Sequence, residues 1–124
     1  DMIYYSYNGR KILVRYTGEK TVIEASDLSG ITDIYNPAFR NTNITSVTLP
    51  SSVKNIGEKA FSSCKSLSTV YIPSSVERIA GYAFIWSGSD SSITFRCAAS
   101  EKPAGWDEKW ASECNGTPNI IWNA

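Results

Sequence analysis

Residues 44–66, ITSVTLPSSVKNIGEKAFSSCKS, and residues 67–89, LSTVYIPSSVERIAGYAFIWSGS, decide the fold. Set one above the other without gaps, they share Val47/Val70, Pro50/Pro73, the Ser-Ser-Val runs 51–53 and 74–76, Ile56/Ile79, Ala60-Phe61/Ala83-Phe84 and Ser66/Ser89. That is 9 identities in 23 positions, with apolar swaps at Ile44/Leu67 and Leu49/Ile72. Self-similarity at this period is the signature of a stacked repeat architecture. No single unit can bury its apolar face alone, so neighbours must bury it for one another.

Each unit has a physical reading. Ser46–Leu49 and Thr69–Ile72 alternate polar and apolar, the period of a half-buried strand. Pro50 and Pro73 end the strand because proline cannot donate to a ladder. Val53 with Ile56, and Val76 with Ile79, point inward again from a second short extended or turn segment. Residues 58–62 and 81–85 are too short for a full helix and suit one helical or 3₁₀ turn. That turn plants Phe61 and Phe84 in the core, stacked one repeat apart. Stacked strands then run into a parallel sheet.

A weaker copy precedes the pair. Residues 31–39, ITDIYNPAF, match the apolar positions of VKNIGEKAF and VERIAGYAF, with a strand expected near Thr21–Ile23 and an excursion through residues 25–30. A partial copy follows, with Ile93-Thr94-Phe95 standing 23 residues after Val70-Tyr71-Ile72. The expected division is one domain: a hairpin cap at 1–20, repeats at 21–43, 44–66 and 67–89, and a partial repeat with a C-terminal cap at 90–124.

Asn8-Gly9 between two strand-like runs is a strong hairpin signal. A two-residue turn there pairs Tyr5 with Ile12 and Ile3 with Val14 on one face, and Tyr4 with Leu13 on the other. The far end carries Trp106, Trp110 and Trp122, with Ile120-Ile121-Trp122 as a closing strand. Two readings stand for these tryptophans: a plug over the end of the core, or an exposed platform for a sugar. Trp86 replaces the small polar Ser63 and is the expected surface tryptophan of the repeats.

Composition narrows the function. Twelve basic residues balance twelve acidic ones, so there is no general pull on nucleic acid or anionic membrane. No apolar stretch approaches the roughly 20 residues of a membrane span. The chain opens with Asp1, which implies a removed leader or a piece of something longer. Histidine is absent, which removes the commonest general base and metal ligand. Cys64, Cys97 and Cys114 form no C-x-x-C pair, so no metal site is expected. A Cys97–Cys114 bridge and free, buried thiols both remain open. A glycosidase reading would need two carboxylates about 5–10 Å apart across a cleft. Nothing places Glu101, Asp107, Glu108 or Glu113 in such a pair. The chain is read as no enzyme, with no catalytic residue and no cofactor.

The pattern L-x-x-V-x-I-P-S-S-V-x-x-I-x-x-x-A-F-x-x-C resembles the BspA-like leucine-rich repeats of bacterial cell-surface proteins. Cys64 sits on its cysteine; Ser87 and Ala80 depart from it in the next unit. The opening, with Tyr16, Gly18 and ITDIYNPAF, and the end, ITFRC…PAGW…W, are also similar. The resemblance implies a leucine-rich-repeat solenoid of the α/β class, strand-rich, with a short parallel sheet. It also implies a secreted or surface-attached bacterial adhesion module whose partner is a host or cell-surface protein. A glycan ranks behind that, and a ligand-free spacer or terminal cap of a larger surface protein is the alternative. Alternation along the strands puts Thr48, Thr69, Tyr71, Thr94 and Arg96 on the solvent face, and these are the candidate ligand-binding residues. The column of contact is expected at Thr48, Tyr71 and Thr94, with Arg96 at its edge.

Overall fold

The computed structural model describes residues 1–89 and 92–124. The expected C-terminal segment 90–124 therefore begins with two residues outside the described ones. Ten strands are assigned: β1 (Met2–Tyr7), β2 (Arg10–Tyr16), β3 (Val22–Ile23), β4 (Asp33–Ile34), β5 (Ser46–Thr48), β6 (Asn55–Ile56), β7 (Thr69–Ile72), β8 (Arg78–Ile79), β9 (Thr94–Cys97) and β10 (Asn119–Ile121). They form two sheets, ordered β1-β2-β4-β6-β8 and β10-β9-β7-β5-β3. All pairings are parallel except the β1–β2 hairpin. The chain is a strand-rich leucine-rich-repeat solenoid in which strands from β3 to β9 alternate between the two sheets, and the last turn touches the second sheet only through a single bridge from Trp106 to Ile79. The single parallel sheet expected from the sequence is thus two, and the repeats contribute strands of only two residues, β4, β6 and β8, to the second, beside the longer hairpin strands.

The side chains explain the winding. Val47, Val70 and Phe95 point inward from one sheet, and Ile34, Ile56 and Ile79 from the other; all are buried. Between the sheets runs a pillar of rings. Tyr16 stacks on Phe39 at 5.4 Å, Phe39 on Phe61 at 4.9 Å and Phe61 on Phe84 at 4.9 Å. Phe84 meets Phe95 edge-on at 4.8 Å, and Trp110 then meets Phe95 edge-on at 4.9 Å. Phe61 and Phe84 are both at 0 % exposure, as the repeat register requires. Trp106 and Trp110 lie in the same core at 2 % and 3 % exposure, and the Trp106 indole donates to the Val76 carbonyl at 3.0 Å.

The segments that carry the phenylalanines are not helical turns. Ala60 N–H donates to the Gly57 carbonyl and Ser62 N–H to Lys59, so two tight turns follow one another. Left-handed residues separate them: Lys59 and Tyr82 in one column at φ 60° and 62°, and Asn41, Ser63, Trp86 and Glu113 in another at φ 57–63°. A continuous 3₁₀ turn cannot contain such residues. Their amides go to the next rung, as Lys59 to Tyr82, Ser63 to Ile85 and Trp86 to Glu113, so the turns form a ladder of their own. Ala25–Leu28 is the one 3₁₀ helix among the described residues. The Asp27 carboxylate holds it by accepting the Glu24 N–H and the Lys20 ammonium, both at 2.8 Å.

Cys64 is part of this turn ladder. Its thiol donates to the Phe39 carbonyl at 2.9 Å, and one rung on the Ser87 hydroxyl donates to the Phe61 carbonyl. Cys114 repeats the contact with Phe84 at 3.6 Å. Serine at the cysteine position thus keeps the donor that the turn needs. All three thiols are free, and burial pushes Cys97 and Cys114 up to about 11 and Cys64 above its usual range.

Two registers differ from expectation. In the hairpin, Tyr5 faces Ile12 and Tyr4 faces Leu13, but a register shift after Ile3 sets Ile3 opposite Arg15 instead of Val14. In the sheet that holds β7 and β9, Val70 pairs with Phe95 and Tyr71 with Arg96. The third unit is therefore two residues longer than 23, and Thr94 pairs with Thr69.

Candidate functional site

The outward face of the sheet β10-β9-β7-β5-β3 carries the candidate residues in two columns. Ser46, Thr69, Thr94 and Asn119 stand in one; Thr48, Tyr71, Arg96 and Ile121 stand in the other. Thr94 thus leaves the column of Tyr71, and Arg96 moves from its edge to its centre. Neighbouring strands hold these side chains roughly 5 Å apart. Tyr71 is 43 % exposed, and Trp86 is the only large aromatic more exposed outside the hairpin among the described residues. The Arg96 guanidinium lies 5.8 Å from the centre of the Tyr71 ring, within cation–π range. Beside the pair lies a shallow hollow of about 200 Å³, bounded by Thr48, Leu49, Ile72, Pro73 and Ala98. The arrangement offers a flat aromatic with a cation beside it and hydroxyls around it.

The opposite sheet carries a larger open groove, about 750 Å³, that sequence reasoning did not find. Gly57, Ala80 and Gly105 contribute small residues to it, and Arg10, Tyr35 and Arg78 contribute polar ones. Its charged centre is already satisfied. Asp33, 1 % exposed, accepts two bonds from Arg10 at 2.7 and 3.1 Å, one from Thr32 at 2.7 Å and one from Asn55 at 2.9 Å. Arg10 also donates to the Tyr35 hydroxyl at 2.8 Å. A carboxylate in the repeat ITDIY was the available signal, but its partner lies 23 residues away, beyond any local pattern.

Asp33 gives a pH prediction. Burial raises its carboxyl, but the bonds from Arg10, Thr32 and Asn55 outweigh burial and hold it below the usual carboxylate range. A depressed folded value stabilises the fold above the unfolded value of about 3.9 and ceases to do so as pH falls through the folded value. Thermal unfolding followed from about pH 5 down to about pH 2 should show this loss. Asp33→Asn should flatten that acid limb, leaving the share of Asp27, which Lys20 also holds low. An unchanged slope in the variant would refute the assignment.

Trp106 and Trp110 do not form a platform. They are buried against each other, ring centres 5.0 Å apart, with no face open to a sugar. Nearby acids are engaged otherwise: Glu108 lies 3.4 Å from Lys102, and Asp107 accepts the Lys109 N–H at 2.8 Å. Trp86 is exposed at 53 %, as its position in the turn predicts. Among the described residues no cluster of three or more His, Cys, Asp or Glu could hold a metal, and no helix is long and apolar enough to cross a membrane.

Two parallel ladders, a phenylalanine pillar and a hydroxyl-rich outer face define a short leucine-rich-repeat solenoid. Such domains are generally protein-interaction modules. The chain belongs to the BspA-type leucine-rich-repeat family: the model of the six-copy repeat region matches residues 21–102. This repeat type is typical of bacterial surface proteins. In fold the chain is similar to a leucine-rich repeat protein from Bacteroides capillosus known from a crystal structure. The two share 24 % identity over 94 % of this chain and 91 % of that one, with a TM-score of 0.52. No curated protein matches the chain significantly.

Proposed function

We propose that this chain is a secreted or surface-attached bacterial binding module, an adhesion domain that grips a protein partner through the face bearing Thr48, Thr69, Tyr71, Thr94 and Arg96. The observation that carries the reading is Tyr71, an exposed aromatic fixed on a rigid strand beside Arg96. Tyrosine and arginine are the residue types most often found as energetic anchors of interfaces. Strand residues also lose little conformational freedom when a partner arrives. The groove on the other sheet is the weaker candidate because its buried carboxylate is satisfied within the chain. A catalytic role is disfavoured by the absence of histidine and by thiols that burial keeps protonated.

The test is a binding screen against matrix proteins, cell-surface proteins and glycans, repeated with Tyr71→Ala. Loss of such an anchor costs about 2 kcal/mol, so affinity for the protein partner should fall about thirtyfold. The thermal midpoint should barely move, since the side chain lies outside the core. Unchanged affinity would move the site off this face. Failure to bind any protein would favour the alternative, a ligand-free spacer or terminal cap, and binding to glycans alone would favour a carbohydrate module.

A further inference from the structure

Arg96 is unlike every other cation of the chain. Arg10, Lys20, Arg78 and Lys102 meet carboxylates, and Lys11 and Arg15 donate to backbone carbonyls. Arg40, Lys54, Lys59, Lys65 and Lys109 have no such partner, and all of them are exposed, with water to solvate them. Arg96 alone is half-buried and still meets no carboxylate or carbonyl among the described residues. Its guanidinium lies 5.8 Å from the centre of the Tyr71 ring, a contact that leaves the N–H donors of its fork without an acceptor. A charge drawn partly out of water costs free energy until an acceptor meets it. Arg96 is also the one charged residue of the two outward columns, whose other members are serine, threonine, asparagine, tyrosine and isoleucine.

The hollow beside it has the opposite character. Leu49 and Ile72, both buried, line it with Pro73 and Ala98, and Thr48 and Tyr71 supply its side-chain hydroxyls. At about 200 Å³ it is smaller than the roughly 300–1,000 Å³ of sites that enclose a whole small molecule, so it suits one side chain of a larger partner. We infer that this face recognises an acidic protein segment, one in which a carboxylate lies within two residues of an apolar side chain; the inference rests on the reading of the Tyr71 face as the binding surface. The carboxylate takes the open donors of Arg96 as a charge-assisted pair, and the apolar side chain enters the hollow. In an extended segment, side chains two residues apart point the same way and stand roughly 6–7 Å apart, close to the spacing of ring and guanidinium. A sugar fits less well, because hydroxyls set against Leu49, Ile72 and Pro73 would lose their partners in water and gain few.

The probe is the peptide acetyl-Asp-Asp-Leu-Asp-Asp-amide, which offers a carboxylate at every position within two residues of its leucine. It is titrated into the whole chain and followed by NMR of the backbone amides and the Arg96 Nε–H. The expected result is millimolar binding with shifts centred on Tyr71, Ile72 and Arg96. The analogue with asparagine for aspartate should bind about tenfold more weakly, and the analogue with alanine for leucine about fivefold. Arg96→Gln should lose the preference for acid over amide, while Lys65→Gln, at an exposed cation outside the two columns, should keep it. Should Arg96→Gln disturb the fold, Arg96→Lys keeps the charge without the fork and should show a reduced preference. Equal binding of acid and amide peptides overturns the inference; with shifts still centred on Tyr71 it leaves the face standing as a binding surface. Shifts centred elsewhere, or no binding of the acidic peptide at millimolar concentration, overturn it too, and the protein screen with Tyr71→Ala then decides the wider reading by itself. Tighter binding of a methyl glucuronide at the same residues would give Arg96 to an acidic glycan and likewise overturn it.

Discussion

Phe61→Ala should lower the free energy of unfolding by about 3–5 kcal/mol. The ring is fully buried and lies between Phe39 and Phe84, with planes within 6° and 14° of theirs. Its removal deletes two stacking contacts and leaves a cavity between two sheets whose ladders hold them at fixed spacing. The walls cannot close without breaking the turn bonds on either side, Phe61 N–H to Ala83 and the Ser87 hydroxyl to the Phe61 carbonyl. Small domains are stable by only about 5–15 kcal/mol, so this one substitution consumes a large fraction of the total. Urea denaturation compared with the parent measures it. A loss under about 1 kcal/mol, the size of an ordinary surface change, would mean the pillar is not what joins the rungs.

Truncation after Arg96 should be more damaging still. The shortened chain loses β10, Trp106 and Trp110 together. Phe84 and Phe95, both at 0 % exposure, would lose the indole that meets them edge-on, and Val76 and Ile79 would lose Trp106. A stack whose last apolar layer faces water aggregates or melts early, because a repeat array needs a polar terminus. The expected outcome is an insoluble product, or a soluble one with no cooperative thermal transition. A truncated chain that stays monomeric and melts as before would show that the tryptophan segment does not serve as a cover.

The repeat made the core legible before any coordinates, because identical inward positions recur and each needs a partner in the next unit. Phe61, Phe84, Ile56 and Ile79 could be placed on that ground alone. The sequence alignment of β9 is off by two residues for a related reason. A shift of two preserves which side chains face inward, so Ile93 and Phe95 satisfy the alternation in either register. Only the length of the turn before them, which no pattern encodes, separates the two. The second sheet escaped notice because two-residue strands are too short to alternate. The left-handed turns escaped because lysine, tyrosine and tryptophan have no preference for φ > 0; the stacked ladder imposes it. Of the candidate site, the face of Tyr71 was readable and its true neighbour, Arg96, was displaced with the register. The Arg10–Asp33 centre was invisible because hairpin and repeat meet only after folding.

Rungs that touch only their immediate neighbours leave the reach of the molecule adjustable. A duplicate of residues 44–66 inserted after Ser66 would meet on both sides the same surfaces that residues 44–66 and 67–89 already present to each other. Each such unit would lengthen the ladder by about 4.8 Å and add one more hydroxyl to the row of Thr48 without disturbing Tyr71 or Arg96. The footprint offered to a partner can therefore grow in fixed steps, like marks on a ruler, while the chemistry of each mark stays the same.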